Sequence, residues 1–164
     1  MSNVDQIFQA NEQHQQSFDR GHLPMPPGRH LAIVTCMDAR IIPVEAFGIQ
    51  AGDAHVIRNA GGRATDDVIR SLAISQRLLG TTEVVVVHHT DCGMLTFSNE
   101  DLVGKIQEEL GADASDMDFL PFTDVEASVR EDVEMIRSSK LTPEGLDVSG
   151  AVYDVTTGRL SKVE

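Results

Sequence analysis

Glu83-Val-Val-Val-Val-His88 is the stretch on which the fold turns. Four consecutive valines are β-branched, and their stiff side chains suit a pleated strand better than a helix. No polar residue alternates with them, so the strand has no solvent face, the pattern of a parallel sheet buried on both sides. Leu31-Ala-Ile-Val-Thr35 repeats that pattern upstream, and His55-Val-Ile-Arg58 is another short strand that runs into the Gly61-Gly62 break. Downstream, Gly150-Ala-Val-Tyr-Asp-Val155 reads as the last strand, with Thr157-Gly158 a turn toward a short tail.

Helical periods lie between these runs. Thr65-Asp66-Asp67 puts a hydroxyl cap and two acids at the positive end of a helix dipole. That helix runs to Leu79, with Ile69, Leu72, Ala73 and Leu79 on one face, and Gly80 closes it. Asp101 to Leu110 is a second helix. Asp124 to Ser138 is a third, with Val125, Val129, Val133 and Ile136 spaced at three and four. Val4 to Phe18 is helical with a weak stripe, because its middle is nearly all polar, and Gly21 to Arg29 with its three prolines is a turn region. Strands alternating with helices predict an α/β fold, one domain over residues 1–164, with a largely parallel sheet flanked by helices.

A chain of 164 residues is long enough for one sizeable core and too short for a separate cofactor domain. Its 41% apolar and 24% charged residues argue against disorder. Thirteen Lys+Arg against 26 Asp+Glu leave a net charge of −13, which repels phosphates and anionic lipids, so no nucleic acid and no membrane surface is expected as a partner. No apolar run reaches the ~18–20 residues of a membrane span. Met1 to Phe18 has neither the basic nor the apolar part of a secretory signal, which predicts a cytoplasmic protein.

Chemistry concentrates in Cys36-Met-Asp-Ala-Arg40 and His88-His-Thr-Asp-Cys-Gly93. Each follows directly on a buried strand, where open α/β sheets bind their ligands. Cys36, His89 and Cys92 make a two-sulfur, one-nitrogen set. Three such ligands leave the fourth tetrahedral position of a zinc ion open, the mark of a catalytic site. Taken singly, each cysteine also reads as a packing residue. Spacing permits a disulfide between them, and a reducing compartment disfavours it. His three residues before one cysteine, and Asp and Arg at two and four residues after the other, favour the metal. His88 points opposite to His89 while the strand persists, so it reads as a structural neighbour, as do Asp91 and His55. Asp38 and Arg40 read either as a surface ion pair or as a working pair beside the metal.

The order Cys-x-Asp-x-Arg, then Arg58-Asn-Ala-Gly-Gly62, then His-x-x-Cys resembles the β-class carbonic anhydrases, from about Pro24 to Met94 and more weakly onward. The chain is most similar to the short actinobacterial, mycobacterial-type members. That resemblance implies one Zn2+ per chain on Cys36, His89 and Cys92, with a catalytic Asp38–Arg40 pair. It also implies a five-stranded, mostly parallel sheet and a homodimer or higher homo-oligomer whose N-terminal helix packs on the partner. The implied activity is reversible hydration of carbon dioxide to bicarbonate by a zinc-bound hydroxide. Some relatives have a second bicarbonate site that needs a Trp, and this chain has none.

The residues fit that chemistry. Asp38, an acceptor only when ionised, can take the hydroxide's hydrogen bond, and the Arg40 fork keeps it ionised. Gly61 and Gly62 precede a helix start, so their N–H groups are expected to meet bicarbonate, or else to be a plain loop pair. Two alternatives remain at this stage. One is hydrolysis of carbonyl sulfide or carbon disulfide on the same scaffold. The other is a non-catalytic zinc-binding or thiol redox-sensing module, which leaves Asp38 and Arg40 without a purpose.

Overall fold

A computed structural model describes all residues, 1–164. Its five strands are β1 (Leu31–Cys36), β2 (Ala54–Asn59), β3 (Glu83–His89), β4 (Asp147–Tyr153) and β5 (Leu160–Val163). They form one sheet in the order β2-β1-β3-β4-β5. The first four are parallel, and only β5 runs antiparallel, against β4. The helices are α1 (Asn3–Gln16), α2 (Pro43–Phe47), α3 (Asp66–Leu79), α4 (Asn99–Leu110) and α5 (Val125–Ser138).

The valine run is the sheet's centre: in β3, Val84, Val86 and Val87 are buried, and β1 beside it is buried over Ala32–Cys36. Strand alternation sends Ala32, Val34, Val84 and Val86 to one face. There they meet Val68 and Leu72 of α3 and Val129, Val133 and Ile136 of α5. Ile33, Val87 and Ala151 go to the other face, which is covered by little more than Ile49, Phe47 of α2 and Tyr153. The Thr65 hydroxyl caps α3 by accepting from Val68 N–H, and Gly80 closes it at φ 74°, as the sequence predicts.

Two elements are absent from the sequence reading, the short helix α2 and the last strand. The tail after Thr157-Gly158 is strand β5, whose exposed Leu160, Ser161 and Lys162 give no buried-strand pattern because it is a sheet edge. Helix α1 buries none of its residues, and Val4, Ile7 and Phe8 all lie in the open. No helix is long and apolar enough to cross a membrane.

Candidate metal centre

Parallel pairing decides which side chains meet. β1 and β3 are parallel neighbours with Thr35 opposite Val87, so Cys36 at the end of one strand and His89 at the end of the other emerge at the same edge of the sheet. The chain then turns through Thr90 and Asp91, the latter at φ 53°, and returns Cys92 to the same spot. Thr90 N–H bonds Tyr153 O at 3.0 Å and Leu95 N–H bonds Cys92 O at 3.1 Å, which fixes the turn at both sides. The ligand atoms of Cys36, His89 and Cys92 all lie within 4.8 Å of one another, and all three residues are buried.

These residues fit a zinc ion. His89 Nδ1–H donates to Thr90 O at 2.8 Å, which leaves Nε2 as the bare lone pair. Nε2 is buried and has no hydrogen-bond partner. An orphaned imidazole nitrogen between two sulfurs is costly unless something coordinates it. The two thiols share their protons unequally. The neighbouring Cys92 thiol holds the Cys36 thiol well below the ordinary range, and Cys36 in turn pushes Cys92 up. Burial opposes a charge on His89, but the Cys36 sulfur, the Thr90 carbonyl and the Asp38 carboxylate together outweigh it and raise the imidazole. A dication replaces these shared protons.

Asp38 stands at the rim. Its Oδ1 accepts from Arg40 N–H at 2.8 Å and Nε–H at 3.0 Å, and its Oδ2 accepts from an Arg40 terminal N–H at 2.8 Å. Those bonds hold the carboxyl well below the usual carboxylate range. Asp38 Oδ2 is 3.8 Å from His89 Nε2. Arg40 is itself anchored: it donates to Asp91 Oδ2 at 2.7 Å and to Asp91 O at 2.8 Å. Asp91, which sequence alone assigns to structure, thus completes the pair, and its position just before Cys92 was the available signal. Arg58 of the middle motif donates to Cys36 O at 2.9 Å and to Asp38 O at 2.7 Å, clamping the segment that carries both residues.

The glycine pair is buried beside the ligand strand. Gly61 and Gly62 have φ of 77° and 73°, and a Cβ on Gly62 would stand 2.9 Å from Cys36 N. The turn therefore presses on the β1 backbone at Cys36. His55 lies elsewhere, on Ser75 Oγ at 2.7 Å.

Residues 31–160 match the carbonic anhydrase family model. The chain is 47% identical over 162 residues to β-carbonic anhydrase 1 of Mycobacterium tuberculosis, covering 98% of each. This chain belongs to the β-carbonic anhydrase family. A crystal structure of carbonic anhydrase from Streptococcus mutans superposes with a TM-score of 0.96 at 52% identity, over 100% of this chain and 99% of that one. Carbon disulfide hydrolase of Acidianus is more distant at 37% identity, over 84% of this chain and 79% of that protein. The β-carbonic anhydrase metal is zinc, and the Cys36–His89–Cys92 cluster is the place in this chain that fits one ion.

Proposed function

We propose that the chain, acting as one unit over residues 1–164, catalyses the reversible hydration of carbon dioxide to bicarbonate and a proton, with zinc on Cys36, His89 and Cys92. The observation that supports this most is the Asp38 carboxylate, tied down by Arg40 and 3.8 Å from the free nitrogen of His89. A zinc ion held there would supply Lewis acidity, which in carbonic anhydrase brings the pKa of bound water to about 7.

The protein's own groups supply orientation. Asp38 stays ionised, so it can only accept a hydrogen bond. An O–H of the attacking oxygen that donates to Asp38 Oδ2 leaves that oxygen's lone pair free for the carbon of CO2. Arg40 spends its fork on Asp38 and Asp91, so the carboxylate cannot swing. Ile41, Met94 and Phe122 pack around the two cysteines and keep bulk water from the sulfurs.

A carbon disulfide hydrolase reading draws on the Acidianus relative, and the greater identity to the mycobacterial protein favours CO2. Stopped-flow assays of the zinc-loaded protein with CO2 and with carbonyl sulfide decide between them. A higher kcat/KM for CO2 is expected, and faster sulfide release would reverse the assignment.

The protein is proposed to act as a homodimer or higher homo-oligomer. Val4, Ile7 and Phe8 of α1 find no cover within the chain, and a groove of about 460 Å³ lined by Val44, Ile49, Ala54 and Val56 lies beside edge strand β2. A second copy's α1 suits that groove. Two unpaired cysteines suit a reducing cytoplasm.

A further inference from the structure

A second cluster of polar side chains lies under the metal centre, and nothing above uses it. Asp132 of α5 is 1% exposed and Arg63 is 6% exposed. His88, the neighbour of ligand His89, is fully buried. Asp132 Oδ2 stands 3.1 Å from His88 Nε2 and 3.2 Å from Arg63 Nε. Arg63 reaches on to Glu131 at 3.1 Å. Both Asp132 contacts are at ion-pair distance without hydrogen-bond alignment. The hydrogen bond of His88 Nε2 goes to Gly62 O at 3.2 Å. Nε2 thus faces two acceptors and must carry the proton. The ring's other nitrogen is 2.7 Å from Ser128 Oγ, and the Phe122 ring stacks on it at 5.5 Å between centroids. His88 has no freedom left.

An apolar helix face is an expensive place for this. Asp132 falls three residues after Val129 and four before Ile136, in phase with the buried stripe of α5. Buried charge sets add little net stability over apolar packing of equal volume, so one retained here points to geometry. The geometry it controls is the Gly61–Gly62 turn, which lies against the Cys36 backbone. Groups that orient ligands from behind affect a metal nearly as much as the ligands do.

We infer that Asp132 is a positioning residue of the metal centre: reaching in from α5, it holds the His88 imidazole on the Gly62 carbonyl and so fixes the Gly61–Gly62 turn against Cys36. The inference rests on the proposed zinc site and adds a helix-borne control to it.

The test uses the full-length protein. Zinc affinity by chelator competition and the thiolate-to-metal absorption of the cobalt-loaded protein are measured for wild type, Asp132→Asn, Asp132→Ala and Val133→Ala. Asp132→Ala is expected to weaken zinc binding about tenfold to a hundredfold and to shift the cobalt spectrum. Asp132→Asn, which keeps an oxygen for His88, falls between it and the wild type. Val133→Ala lowers the urea midpoint by cutting a cavity in the same helix face, yet retains wild-type zinc affinity, which separates positioning from stability. If Asp132→Ala does not fold, Asp132→Asn carries the comparison. Wild-type zinc affinity and cobalt spectrum in the folded Asp132 variants would overturn the inference and leave the zinc site standing. A wild-type protein that takes up no zinc would remove both.

Discussion

Asp38 Oδ2 lies 3.8 Å from His89 Nε2 and is kept there by Arg40, whose backbone and guanidinium N–H groups bond both carboxylate oxygens. A carboxylate this near a ligand atom is itself able to bind zinc. Arg40 satisfies its lone pairs elsewhere, and Asp91 and the Arg58 clamp hold Arg40 and the loop in turn.

Arg40→Ala should therefore leave zinc content unchanged and lower kcat/KM for CO2 by about a hundredfold or more, the scale of a lost positioned proton acceptor. Arg40→Lys should not rescue it, because an ammonium cannot bond Asp38 and Asp91 together as the planar fork does. Stopped-flow kinetics with parallel zinc analysis checks both. Wild-type turnover in Arg40→Ala would reduce Arg40 to a surface charge.

One zinc per chain is expected in purified protein, and a Cys36→Ser, Cys92→Ser double variant should hold almost none after washing with chelator. Elemental analysis reads this directly. Because the unfolded chain has no preformed site, zinc should also raise the thermal midpoint, by about 2.7 kcal/mol of stability at a hundredfold excess over Kd.

Much of this was legible in the sequence, for physical reasons. The central strands β1 and β3 lack a polar face, and α3 and α5 carry stripes that a core explains. Cys36, Asp38, Arg40, His89 and Cys92 sit at strand ends, where parallel pairing gathers them. What failed to show were groups that act across long separations. Asp132 of α5 meets His88 of β3 across 44 residues of sequence, and only its place in an apolar stripe marked it. At Gly61 and Gly62 the sequence shows only that a turn is glycine-rich, and the structure adds that a Cβ on Gly62 would meet the Cys36 backbone. Strand β5 is an exposed edge, so burial left no pattern to read.

The uncovered α1 gives a test of assembly. Ile7→Asp with Phe8→Asp places two charges on the face proposed to meet a second copy, and the wild type should be at least dimeric by light scattering. The double variant should shift toward monomer and lose activity with it. A wild type that is monomeric and fully active at micromolar concentration would contradict the assembly.

Acid should weaken the fold through its capping carboxylates. Asp154 accepts from Thr156 and Thr157 N–H, and Asp101 from Ser98, and both are held below their ordinary values by those bonds. A folded pKa lower than the unfolded one, which lies near about 3.9, gives stability that is complete above that unfolded value. It is lost as pH falls through the folded value. The urea-midpoint gap between wild type and Asp154→Asn should be flat above about pH 5 and close in stronger acid. A gap that widens on acidification would reverse the sign.

Gly62 and Gly80 offer a matched pair for the crowding at Cys36. Both have nearly the same backbone, φ 73° and 74°, so Ala at either place bears the left-handed penalty of roughly 1–2 kcal/mol. Their surroundings differ. A Cβ on Gly80 meets nothing nearer than His30 Nδ1 at 3.6 Å, an ordinary contact. On Gly62 it would stand 2.9 Å from both Cys36 N and Thr35 C, backbone atoms of a buried central strand that cannot rotate away. Overpacking there adds roughly 1–3 kcal/mol, so Gly62→Ala should cost roughly 2–5 kcal/mol in urea unfolding against about 1–2 for Gly80→Ala. The displaced β1 end carries Cys36, so Gly62→Ala should also bind zinc more weakly, while Gly80→Ala binds it as the wild type does. Equal losses of stability with unchanged zinc affinity would mean that the turn is not pressed against the ligand strand.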